Sequence, residues 1–293
     1  MTDRTPPRHV TVRRTLTLGT VFAGLTATGA AATDQGTVAA TTGPSAIILA
    51  QAEAEAEGKG RHAQAKAVQA EGEGEGGEGG EGTTGLADPG QRLQRDLSFM
   101  EGHLRAGLAL YEAGDLAAAR THMGHPIKEK YGAVAAPVAA MGKGALKGRI
   151  VAIAEAAESG APLADVRAAF DAARAMIEEV RATISPADQV MGLASLTRVA
   201  GAEYTVAVAG GEVSNLHEYQ DAWGFLRVVG TEARQMADSP DPETAAAGRD
   251  ILDHLKATDA AFGDLQGGGD FTMDPSILMG AAARIELTGL GLG

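Results

Sequence analysis

The chain contains no cysteine in its 293 residues. Disulfides, thiolate zinc sites, cysteine nucleophiles and iron–sulfur clusters are therefore excluded, and any core must hold without covalent staples. Aromatic residues are scarce at 4%, while alanine is abundant, a composition suited to helices that approach closely. Basic charge is also short. A net charge of −13 argues against a nucleic-acid binder, which needs a basic stripe to neutralise phosphates, and against docking onto an anionic membrane surface. No period-two alternation lasts long enough for a strand, since Tyr204–Ala209 continues a helical pattern better. There is no G-x-S-x-G, Gly142-Lys143 lacks the rest of a phosphate loop, and the paired E-x-x-H motifs of a di-iron bundle are missing.

The residues that are present divide the chain in three. Residues 1–32 have the parts of an export signal: Arg13-Arg14, a short apolar run through Val21, Phe22 and Leu25, and a small-residue exit at Ala30 and Ala32. The run is too short and too rich in Thr and Gly for a stable membrane span. An arginine pair before a weakly apolar segment resembles a twin-arginine signal. That resemblance implies a bacterial periplasm or cell exterior, and a route that moves proteins already folded. In residues 33–87, Glu53, Glu55 and Glu57 alternate with alanine, and Glu71, Glu73 and Glu75 with glycine. Repelling glutamates on an entropic backbone form no packed core, so a disordered, solvated linker is expected.

Residues 88–293 read as an all-α domain, an antiparallel up-and-down bundle of seven to nine helices or two bundles side by side. Asp88-Pro89, Ser185-Pro186 and Asp274-Pro275 pair a capping side chain with a first-turn proline. Leu93, Leu97, Met100, Leu104, Leu108 and Tyr111 recur at helical spacing. Further helices are expected over Val138–Ser159, from Pro162 onward, and over Ala187–Ala209, Glu212–Asp238 and Glu243–Phe262. The words Leu110-Tyr111-x-x-Gly114-Asp115-Leu116-x-x-Ala119 resemble a tetratricopeptide-type hairpin.

The stretch Met100–Tyr131 concentrates the candidate chemistry, with three of the seven histidines. His103 is expected at the edge of the core and His122 on the apolar side of the next helix. His122 and His125 make H-x-x-H, and His125 and Glu129 make H-x-x-x-E. Neutral imidazoles with carboxylates suit iron, zinc or copper. Pro126 is expected to disfavour helix at His125, kink the chain and disturb this geometry. Glu203, in phase with Leu196, Val199 and Val206, and Glu218, in phase with Ala222, Phe225 and Val229, are expected to point into apolar faces. Buried carboxylates there call for a shared proton, an arginine or a cation, so both are candidates to close the site. The alternative is a core histidine, a turn histidine and an ordinary salt-bridge network. His217 and Asp221, an i,i+4 pair, and His254 are expected on the surface.

The exported, all-helical, cysteine-free character with His/Glu motifs resembles the imelysin-type and iron-uptake-associated periplasmic proteins. Those families favour a G-x-H-x-x-E motif, against which this chain sets Gly102-His103 and Gly124-His125. The resemblance implies metal trafficking or sensing, with iron as the first candidate metal. The metal site expected is His103, His122, His125 and Glu129, closed by Glu203 and Glu218. The competing expectation is a metal-free helical adaptor for an envelope protein or peptide.

Overall fold

The computed structural model describes residues 86 and 88–292. The export signal and nearly all of the linker lie outside the described residues. Within them every regular element is helical.

Helix α1 (Pro89–Ala113) begins where Asp88 accepts from the backbone N–H of Gly90 at 2.6 Å, with Pro89 at the first position. It ends because Gly114 adopts φ 85°, a left-handed conformation that costs a glycine nothing. Asp115 then caps α2 (Leu116–His125) through the N–H of Ala118, so the hairpin is built from its own turn chemistry.

Pro126 does not break the helical path after α2. His125 stays in the right-handed helical region, and residues Pro126–Lys130 form a π turn in which Tyr131 N–H reaches back five residues to Pro126 O. One extra residue in the turn accommodates the proline's missing donor without ending the helix. Helix α3 (Tyr131–Ala140) continues directly. The single helix expected over Val138–Ser159 is instead divided: a turn at Gly142, φ 73°, separates α3 from α4 (Leu146–Glu158).

Then come α5 (Leu163–Arg181), α6 (Pro186–Ala207), α7 (Leu216–Ala237), α8 (Pro242–Leu255) and α9 (Ser276–Leu290). Helix α7 starts later than Glu212 because Asn215 is its cap, accepting from Glu218 N–H. Helix α8 gives way after Leu255 to a tighter 3₁₀ turn, Lys256–Ala261.

Helices α6, α7, α8 and α9 each pack on the next, and α9 packs on α6, closing a four-helix ring. Helix α1 lies against α6 and α7 on one side and against α2 and α5 on the other. It therefore serves two apolar cores. Leu97, Met100, Leu104 and Leu110 join Ile150, Ile153, Phe170 and Ile177 in one. Phe99 joins Leu193, Tyr204, Tyr219, Phe225 and Ile285 in the other. Each fully buried side chain of this size contributes about 1.5–3 kcal/mol relative to exposure.

The α1–α7 contact depends on two glycines. A Cβ on Gly102 would run into the Phe225 ring, and one on Gly224 would collide with the Gly102 carbonyl oxygen. Without side chains at the crossing the two backbones come close, and residues flanking it meet across the gap.

Candidate metal centre

Close to that crossing, His103 on α1, His122 and His125 on α2, Glu129 in the π turn, and His217 and Asp221 on α7 come together. Three overlapping sets have ligand atoms all within 4.8 Å of one another: His103, His122 and Asp221; His103, His125 and Glu129; His125, His217 and Asp221. The first set is fully buried, while His125, Glu129 and His217 are half-buried.

Asp221 is the hub. Its Oδ1 lies 2.6 Å from His103 Nδ1 and 2.8 Å from His122 Nδ1, and its Oδ2 lies 3.2 Å from His217 Nδ1. Burial pushes this carboxyl up, but the facing His103 and His122 imidazoles outweigh burial and hold it well below the usual carboxylate range. Asp221 is therefore an anion in the interior.

Glu129 closes the other side. Its Oε2 is 3.5 Å from His103 Nε2 and its Oε1 is 3.1 Å from His125 Nδ1. Phe99 and Phe225 stack on each other at 4.8 Å and present edge contacts to His103 at 4.5 and 5.1 Å, walling that ring from water.

Burial, the repulsion of His103 and His217 and a smaller push from His122 lower His125 to about 3. His217 is lowered too, by burial first, with Asp221 and Glu218 pulling the other way. Both are neutral at pH 7 and keep a lone pair for a cation.

His122 has acceptors at both ring nitrogens. Gln220 Oε1 sits 2.9 Å from its Nε2, and Gln220 is oriented by donating its own amide N–H to Leu265 O at 2.9 Å. Each of the two Nδ1 atoms, on His103 and His122, needs a proton or a metal ion between it and Asp221 Oδ1, since an imidazole lone pair and an anionic oxygen this close repel. A histidine whose far nitrogen is held by an oxygen acceptor is the usual setting of a metal-bound imidazole.

The structure thus gathers His103, His122, His125 and Glu129. The spacing of His125 and Glu129 survives Pro126 because the π turn keeps the two residues on one face. Glu203 and Glu218 fall outside the three sets. Both are half-buried, and it is the tyrosine after each, Tyr204 and Tyr219, that enters the core completely. On α6 the apolar face lies one residue later than the sequence pattern implied, as Val206 shows by being 53% exposed; on α7 Ala222, Phe225 and Val229 are buried as expected, and Glu218 stands at the edge of that face. Glu218 still acts on the cluster through its charge, which pulls on His217.

The surface expectations for Asp221, His217 and His254 do not hold. Asp221 is buried, His217 is half-buried in the cluster, and His254 is half-buried with Thr288 Oγ1 at 3.5 Å from its Nε2. Asp221 carried a sequence signal: it shares helical phase with Phe225 and Val228, both fully buried. No local signal marks Gln220.

A family model for the iron permease-associated 4-helix bundle domain matches residues 178–286, over which the chain is similar to that family. The match covers α6, α7, α8 and most of α9, the four-helix ring, and therefore includes His217 and Asp221. His103, His122, His125 and Glu129 lie outside it. No curated protein and no solved structure matches the chain.

Proposed function

We propose that this protein binds a metal ion, with iron the first candidate, at the His/Asp/Glu centre between α1, α2 and α7, and serves metal trafficking or sensing beside an iron permease. The observation that carries this reading is the convergence of four imidazoles on two carboxylates, with ligand atoms within 4.8 Å in three overlapping sets. His103, His122 and Asp221 would hold the ion, with His125, His217 and Glu129 on the more open side of the centre. Imidazole and carboxylate together suit Fe(II), Zn(II) or Cu(II), and the lowered His125 and His217 supply neutral donors at pH 7.

The family match supports an iron-uptake-associated helical protein, and the permease is the natural envelope partner on that ground. No helix among the described residues is long and apolar enough to cross a membrane. The twin-arginine-like leader supports the periplasm or cell exterior as the compartment, where a cysteine-free centre of nitrogen and oxygen donors escapes oxidation by disulfide chemistry. Nucleic acid is not among the expected partners.

Elemental analysis of the full chain after equilibration with Fe(II) under argon, or with Zn(II) or Cu(II), tests the proposal. Stoichiometric metal is expected in the native protein. The His122→Ala/His125→Ala double variant is expected to lose it, along with the rise in melting temperature that metal produces. At a free metal concentration 100 times Kd that rise corresponds to about 2.7 kcal/mol. Unchanged metal content in the double variant would overturn the assignment. A metal-free native protein would leave the adaptor reading in its place.

A further inference from the structure

We infer that the centre holds two metal ions, bridged by Asp221: an inner ion on His103 and His122, and an outer ion on His125 and His217. The inference rests on the metal-binding reading above and goes beyond it in number and arrangement.

Asp221 divides its two oxygens between different histidines. Oδ1 faces the Nδ1 atoms of His103 and His122 at 2.6 and 2.8 Å, and Oδ2 faces His217 Nδ1 at 3.2 Å. A single ion at Oδ1 would leave the Oδ2 side, with its half-buried imidazoles of His125 and His217, without a cation. The rings of His122 and His217 lie nearly parallel, 8° apart, with centroids separated by 4.3 Å. Each directs Nδ1 at its own oxygen of one carboxylate. Paired metal sites hold their ions about 3.5–4 Å apart, a spacing comparable to the 4.3 Å between these two ring centroids.

Glu129 belongs to the outer side: its Oε1 faces His125 Nδ1 at 3.1 Å, while its Oε2 lies 3.5 Å from His103 Nε2, the ring nitrogen turned away from Asp221. The outer set of His125, His217 and Asp221 has ligand atoms within 4.8 Å, as does the inner set. The two sets share only the bridging aspartate.

Burial distinguishes the two positions. His103 and His122 side chains are 3% and 0% exposed, whereas His125 and His217 are 17% and 31% exposed. The outer position is therefore where an ion arrives from solvent and exchanges fastest. The inner one fills through it and empties last. This order suits a protein that accepts a metal ion and passes it on.

The experiment is a count of Zn(II), and separately of Fe(II) under argon, bound per full chain by calorimetric titration with elemental analysis after desalting. Two equivalents are expected for the native protein, with the second lost first to a chelator. His217→Ala, at a half-buried position outside both apolar cores, should bind one equivalent. Asp221→Asn should bind at most one, weakly, with circular dichroism confirming its helix content. Saturation of the native protein at one equivalent overturns the pair and leaves the metal-binding reading standing. Two equivalents retained in His217→Ala also overturns it, because the second ion then lies elsewhere. No metal at all removes both.

Discussion

Helices α1 and α7 enclose two buried polar clusters, and the two neutralise their carboxylates by opposite means. Around the α1–α7–α5 contact, Glu101 and Glu232 share the guanidinium of Arg181 at 2.5 and 3.0 Å. Arg105 reaches Glu101 at 2.7 Å, Ser98 donates to Glu232 at 2.7 Å, and Gln94 donates to Glu232 as well. Burial raises Glu101, but Arg181 and Arg105 bring it below its ordinary value. Burial keeps Glu232 above its own, despite Arg181. Both carboxyl groups there share a permanent cation from the chain. In the histidine cluster Asp221 and Glu129 face imidazoles instead, two of which are held neutral. The first cluster is complete in itself; the second is complete only with protons or metal. Two carboxylate clusters on one interface can thus differ in role according to whether arginine or histidine surrounds them.

The largest effect expected from breaking this contrast is at Arg181. Arg181→Met leaves Glu101 and Glu232 buried without their shared cation and should cost on the order of 3–5 kcal/mol in urea unfolding, with the loss the same whether metal is present or absent. A loss that metal fully repairs would show that the two clusters are not separate in function.

Next is the crossing itself. Gly224→Ala drives a methyl group into the Gly102 carbonyl oxygen and should destabilise by about 1–3 kcal/mol through overpacking. Because it pushes His103 away from Asp221, it should also weaken metal binding, which Arg181→Met should not. Titration of both variants with Zn(II) separates the cases.

The pH dependence follows from the lowered histidines. His125 is held at about 3 in the fold, against about 6.5 when unfolded. Between those values the unfolded chain binds a proton that the native one refuses, so metal-free stability should rise with pH from about 3 to about 6.5 and level off above. His217 and Asp221, both lowered, act with the same sign. Glu232, raised, acts with the opposite sign, losing stability as pH rises through its folded value. His125→Ala should flatten the acid limb of a denaturant-midpoint profile; an unchanged limb would show that His125 is not held neutral.

The smallest effect is expected at the surface. Arg167 pairs with Glu112 at 2.7 Å with both side chains largely in water. Arg167→Ala should change stability by less than about 1 kcal/mol and leave metal binding unaltered.

Much of the helical layout was legible in the sequence because it is encoded locally. Asp88-Pro89, Ser185-Pro186, and Gly114 followed by Asp115 state their helix ends through side chains that cap the nearest backbone groups. The departures have local causes too. Asn215, not Glu212, caps α7, and the turn at Gly142 divides a stretch whose periodicity suggested one helix. Pro126 was legible as a disturbance, but its accommodation by a π turn depends on the packing of α2 and α3 against α1.

By itself, then, the sequence determined an all-helical, cysteine-free, acidic protein and concentrated its metal-compatible groups between Met100 and Tyr131, since composition, capping and periodicity act over a few residues. Only the tertiary structure decided that Asp221 and His217, rather than Glu203 and Glu218, complete that stretch. Which face of α7 meets α1 is set by the glycine crossing and by the Phe99–Phe225 stack. Such contacts join residues more than a hundred positions apart, and helical phase alone, which misjudged the buried face of α6 at Glu203 and left Glu218 at the edge of its own face, does not specify them.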